Sequence, residues 1–257
     1  MNGVQRGLRI GRIFGIQIAI DYSWVFIVLL LTWSLASWFW LVHPNWGAAL
    51  AIVTAFAGAI LFFASVLLHE LAHSLVARRF GIPVSSITLF LLGGVSNIER
   101  EPSSSKAEFL MALVGPLTSI VLGAILLGIG SALVSVPPDA VGDPQVLLAQ
   151  LGPVETLVMW LGPINIIVGL FNLIPAFPLD GGRLLRSVIW AATRNLHTAT
   201  RWASAVGQVF GWFFVVLGVA MAFGTYVPFF GRGLIGGLWL AFIGWFLAAA
   251  AGQTWKL

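Results

Sequence analysis

Two histidines four residues apart, with a glutamate beside the first, form His69-Glu70-Leu71-Ala72-His73 near the end of a long apolar run that begins around Trp46. Residues i and i+4 share a helical face, so both imidazoles can reach one metal ion, and the Glu70 carboxylate stands next to them to take and return protons. Ionisable groups at membrane depth are costly and mark function. The chemistry this donor set points to is metal-assisted hydrolysis where water is scarce. With only four histidines in the chain, chance produces the pattern in roughly one sequence in a thousand. The alternative reading is a pair of buried histidines hydrogen-bonded to neighbouring helices.

Two imidazoles do not complete a catalytic zinc site, which has three protein ligands and an open position. The nine acidic residues include one with a telling setting, Asp180, within Asn172-Leu-Ile-Pro175-Ala-Phe-Pro178-Leu-Asp180-Gly181-Gly182-Arg183. Two prolines break the helix there and two glycines free the backbone behind it, so a carboxylate can turn back into the bundle. A dication with neutral imidazoles also needs a negative ligand in lipid. The competing roles for Asp180 are a cap on a short helix beginning near Gly181 and an ion pair with Arg183. Asn165 and Asn172 lie seven residues apart on one face of the same helix. Asn172 is the better placed to donate to a developing oxyanion or hold a substrate backbone, although packing between helices would also employ it.

The elements that must carry these groups are membrane helices. The chain is 59% hydrophobic and 9% charged, against about 25% charged residues in soluble domains. Six spans are predicted, at 22–42, 47–77, 107–136, 154–176, 203–224 and 233–252, each able to cross about 30 Å of hydrocarbon. Basic residues cluster before the first span, between the second and third, between the fourth and fifth, and after the sixth, where Lys256 stands. The opposite side holds Arg232 with Asp139 and Asp143. By the positive-inside rule both termini are cytoplasmic, in the cell membrane. His69 lies nine residues, about 13 Å, before Arg78, which places the motif below the cytoplasmic interface. A net charge of +4 distributed in this way is no nucleic-acid signal, and the absence of cysteine excludes disulfides and Cys-based zinc sites. No cleavable signal peptide is evident. A transporter using the same groups as relays would show inverted repeats, which the sequence lacks.

Two segments read as strands. Leu8 to Asp21 alternates as a hairpin, and Ser86 to Ile98 is apolar, breaks at Gly93-Gly94 and is too short to span. Non-helical backbone at that depth needs protein partners, which predicts a small sheet near the site. A hairpin flat on the headgroups is the alternative. An exposed strand edge over Leu89 to Val95, including Leu92, Gly93 and Gly94, would capture an unwound substrate by strand addition. Ser105-x-x-Glu108 is read as a capping box at the start of the third span, and Gly115-Pro116 as a kink and a close helix contact.

Taken together, the H-E-x-x-H motif, the Gly-Gly strand loop, Gly-Pro in the third span and N-x-x-P-x-x-P-L-D-G-G-R resemble the site-2 proteases, the intramembrane zinc metalloproteases, over nearly the whole chain. The resemblance implies a polytopic α-helical fold with small membrane-associated strands and one Zn2+ per chain held by His69, His73 and Asp180. It implies Glu70 as catalytic acid/base, and cleavage of transmembrane protein substrates in regulated proteolysis. Residues 1–257 then form a single protease domain. Many relatives in this branch continue into paired CBS domains, so a minimal form or a truncation before a regulatory domain is expected. The second reading is an inactive membrane scaffold that binds such substrates without cutting them.

Overall fold

The computed structural model describes residues 7–91, 93–135, 144–228 and 230–254. Leu92, Asp139, Asp143 and Lys256, which the sequence reading used, lie outside them. The described chain contains six helices long and apolar enough to cross a membrane: α1 (Tyr22–Val42), α2 (Ala48–Arg79), α3 (Ser105–Leu133), α5 (Pro153–Asn172), α7 (Leu196–Ala222) and α8 (Leu234–Thr254). Two shorter helices, α4 (Pro144–Gln150) and α6 (Asp180–Thr193), complete the helical set, with four strands, β1 (Gly7–Ile13), β2 (Ile16–Asp21), β3 (Val84–Phe90) and β4 (Gly93–Ile98). The chain groups into two compact units, residues 1–101 with 117–169, and residues 102–116 with 170–257.

In the first unit the four strands form one sheet in the order β1-β2-β3-β4. The β1–β2 hairpin turns at Phe14 and Gly15, both with positive φ, the conformation that matches strand twist in a two-residue turn. Arg78, in the last turn of α2, donates to the Phe14 carbonyl. β2 pairs with β3 in parallel, Ile18 opposite Ile87, and the crossover between them is α1 and α2 together. The sheet therefore joins both strand-like segments. Asp21 accepts from the backbone N–H of Ser23 at 2.9 Å and caps α1. α1 packs on α2 through Leu35, Phe39, Ala51 and Ala55, and again through Val28, Ala59 and Phe63. A Cβ on Gly123 of α3 would lie 2.5 Å from the Gly162 carbonyl oxygen of α5, and one on Gly162 2.8 Å from Leu127 Cγ of α3. Here small residues let the two helices touch.

In the second unit α7 and α8 run antiparallel along a seam of small residues. A Cβ on Gly211 would lie 2.5 Å from the Ala248 nitrogen, and one on Gly218 2.4 Å from that of Ala241. Phe177, Ala203 and Ala251 make a buried cluster beside it.

Several readings differ in the structure, among them the fifth span, whose helix begins at Leu196, seven residues before the predicted start. The fourth span stops at Asn172 rather than 176, because Pro175 and Pro178 prevent the apolar run from continuing as helix. The Gly93-Gly94 pair does not break the second strand segment but opens β4, after a turn at Leu91. The capping box does not form. Ser104 Oγ accepts from the Ala107 N–H at 3.3 Å instead, and the Glu108 carboxylate is fully buried against Arg186.

Candidate metal centre

α2 is 32 residues long, about 48 Å, and exceeds the hydrocarbon thickness. Its apolar sequence keeps it helical throughout, and the H-E-x-x-H residues fall in its last third. His69 and His73 are buried, one turn apart, and their Nε2 atoms face each other at 3.1 Å. Two nitrogens on a tetrahedral zinc at about 2.0–2.1 Å stand roughly 3.3 Å apart, so the pair fits a shared cation. The same separation also suits a direct N–H to N hydrogen bond. The other ring nitrogen of His69, Nδ1, lies 2.9 Å from Ser119 Oγ on α3, and Ser119 is itself buried. An Nδ1–H donated to Ser119 selects the tautomer in which Nε2 carries the ligating lone pair, the usual arrangement behind a metal-binding imidazole.

Glu70 is half-buried and turned toward the sheet. Ser96 Oγ of β4 donates to Glu70 Oε2 at 2.7 Å, and Ser74 Oγ donates in turn to Ser96 Oγ at 3.1 Å. Directly above, a Cβ on Gly94 would stand 2.6 Å from Glu70 Cγ. Only glycine lets β4 lie on the carboxylate side chain. β4 is an outer strand of the sheet, whereas Leu89 of β3 is paired on both sides, with Ile20 and with Gly94. The free edge expected over Leu89 to Val95 therefore belongs to β4 alone, from Gly93 onward.

The remaining predicted site residues belong to the second unit. Asn172 is the last residue of α5 and Asp180 the first of α6. Between them runs Leu173 to Leu179 with a cis Phe177–Pro178 bond. Asp180 thus opens the short helix expected near Gly181, where a carboxylate also suits the helix dipole. Asn165, read as sharing a face of α5 with Asn172, lies in the first unit and donates to the Leu161 carbonyl one turn back at 2.9 Å. Sequence reasoning missed Ser119 and Ser96. The signal for Ser119 was the Thr118-Ser119 hydroxyl pair in the middle of an apolar helix. Ser96 had none, because its value comes from strand pairing.

The model of peptidase family M50 matches residues 57–217. The chain belongs to that family. The M50 match takes in α2 with its histidines, β3, β4, α3, α5 and α6. Rip3 of Mycobacterium tuberculosis is 38% identical over 242 residues, covering 94% of this chain and 57% of its own length. The sll0528 protein of Synechocystis is 36% identical over 255 residues, covering 98% and 60%. Both are named with the words zinc metalloprotease. The chain thus spans less than two thirds of these relatives. The site-2 protease from Methanocaldococcus jannaschii superposes with a TM-score of 0.56 at 25% identity, covering 98% of this chain and 96% of the other. The M50 fold is therefore that of a multi-pass membrane protease, as the motifs implied.

Proposed function

We propose that this M50 chain is an intramembrane zinc endopeptidase that hydrolyses peptide bonds within or near transmembrane segments of membrane-protein substrates. The observation that carries the reading is the convergence of the two buried imidazoles, that of His69 bonded through Nδ1 to Ser119, beside a carboxylate held by the sheet. His69, His73 and Asp180 are the proposed ligands of one zinc. Among the described residues they offer two nitrogens and a carboxylate oxygen, a set found in catalytic zinc sites with one position open. When bound, zinc supplies Lewis acidity that activates water and polarises a carbonyl.

The chain's own residues supply the rest. Glu70 takes a proton from the attacking water and returns it to the leaving amine, and Ser96 orients its carboxylate for both transfers. A substrate helix hides its carbonyls in i to i+4 hydrogen bonds and must unwind to be cut. The outer edge of β4 supports capture of the unwound segment, with Gly93 and Gly94 allowing close approach, and Leu92 is proposed from the sequence as a further substrate-binding residue. Asn172, at the end of α5, is proposed to hold substrate backbone or donate to the oxyanion. The charge asymmetry of the loops supports cytoplasmic termini in the cell membrane, and residues 1–257 are read as one protease domain.

The test uses purified protein, zinc analysis and a model membrane substrate. Glu70→Gln should retain zinc and the fold while cleavage drops to background, since shape is preserved and the base removed. Cleavage by zinc-loaded Glu70→Gln would dismiss Glu70 as the base. Asp180→Ala should lose most of its zinc, and stoichiometric zinc in that variant would assign the third position to another ligand.

A further inference from the structure

Asp180 is the first residue of α6, and α6 is fixed at both ends of its first two turns. At the start, Gly181 and Gly182 press on the preceding loop. A Cβ on Gly181 would lie 2.2 Å from the Ile174 carbonyl oxygen, and one on Gly182 2.7 Å from the Phe177 nitrogen. Two turns on, Arg186 turns inward. Its Nε donates to Glu108 Oε1 at 2.7 Å and its Nη2 donates to the same oxygen. Glu108, in the first turn of α3, is completely buried, and its second oxygen has no hydrogen-bond partner among the described residues. Arg183 stands 3.9 Å from the bonded oxygen. On its other side the Arg186 guanidinium lies over the Phe177 ring, 5.8 Å from its centroid, and Phe177 is packed against Ala203 of α7 and Ala251 of α8.

A buried ion pair is a poor source of stability. Apolar residues of similar volume often serve as well or better, and a carboxylate with one oxygen unsatisfied is worse than average. What the guanidinium supplies here is direction, since Nε and Nη2 converge on one Glu108 oxygen while the Phe177 ring backs its face, tying α6 to the head of α3. Here it fixes how far α6 is turned about its own axis. A slip of one residue is 100° of rotation, enough to swing the carboxylate at the head of the helix away from any fixed partner.

We propose that Arg186, forked onto Glu108 and stacked on Phe177, is a positioning residue that sets the rotation of α6 and so aims the Asp180 carboxylate at the metal. It rests on the reading of Asp180 as the third ligand. The decisive variant is the apolar pair Glu108→Leu/Arg186→Met, compared with Arg186→Met, Glu108→Gln and Asp180→Ala in the full chain. The readouts are zinc release to a chelator, the visible spectrum of the cobalt-substituted protein, and the thermal midpoint. The apolar pair should keep its thermal midpoint, release zinc at least about tenfold faster, in line with the usual effect of removing support behind a ligand, and show an altered cobalt spectrum. Wild-type release and spectrum in the apolar pair, with zinc lost from Asp180→Ala, would overturn the proposal and leave the ligand assignment standing. Zinc retained by Asp180→Ala would overturn the assignment beneath it. Zinc loss that merely follows the thermal midpoint across all variants, or a failure of the apolar pair to fold, would make the ion pair structural and overturn the proposal as well.

Discussion

Ser119 and Ser96 stand outside the H-E-x-x-H motif, yet each holds one of its members. Removing the hydroxyl from Ser119 frees the His69 ring to rotate and to change tautomer. Ser119→Ala should weaken zinc binding by about 10- to 100-fold, measured by chelator competition, with helicity unchanged. Ser96→Ala should leave zinc in place and lower kcat by roughly tenfold, a fraction of the 10²–10⁴ attributed to a positioned acid/base, while KM stays near wild type. Ser96→Thr keeps the hydroxyl and should recover most of the rate. His43, just beyond the end of α1, offers a pH handle of a different kind. It is buried, stacked on Trp46, with Nε2 3.1 Å from Thr156 Oγ1. Burial lowers its pKa below the ordinary 6.5, opposed in part by the Ala149 backbone. The folded state thus prefers the neutral ring. Its contribution to stability is complete above about pH 6.5 and is lost as pH falls from there through the lowered folded value. The thermal midpoint should drop over that window, and His43→Gln should flatten the drop.

The outer edge of β4, the proposed site of substrate strand addition, can be blocked without substituting a motif residue. Val95 is exposed on that strand, and Val95→Pro removes a backbone donor and fixes φ. Cleavage should fall several-fold while zinc content holds. Unchanged kinetics would place substrate binding elsewhere, around Asn172. How much of this was legible beforehand divides by distance along the chain. The α2 motif, the β1–β2 hairpin and the apolar spans depend on neighbours within a few turns, so periodicity and composition revealed them. The end of α5 was overshot because Leu173 and Ile174 remain apolar, and hydropathy does not register where prolines stop a helix. The joining of β2 to β3 sets Ile18 against Ile87, and the partner of Glu108 is 78 residues away. Neither pairing leaves a local trace. Glu108 in particular carried a misleading one, since Ser105-x-x-Glu108 has the spacing of a cap while burial drew the carboxylate elsewhere.

Across the entire chain, the loop charges make an accessibility prediction. A cysteine placed at Gln253, the background being cysteine-free, should react with an impermeant maleimide only after cells are opened. Labelling from outside intact cells would contradict cytoplasmic termini. The α7–α8 seam makes a stability prediction. Gly218→Val puts branched carbons where the Ala241 nitrogen already stands 2.4 Å from a Cβ position, and overpacking of this kind costs about 1–3 kcal/mol, visible as a lower thermal midpoint in detergent. The parallel bonding of β2 to β3 carries a constraint of parity. β2 ends where α1 begins, and β3 starts five residues after α2 ends. Strands bonded to each other lie on one side of a bilayer, so the chain between them crosses an even number of times. α1 and α2 enter together or the sheet stays open. A nascent chain with one of them left outside has no β2 for β3 to join, and β4, laid down after β3, has nothing to hold it over Glu70. Completion of the sheet is in effect a receipt for correct insertion, and the carboxylate stays unaligned until that receipt is issued.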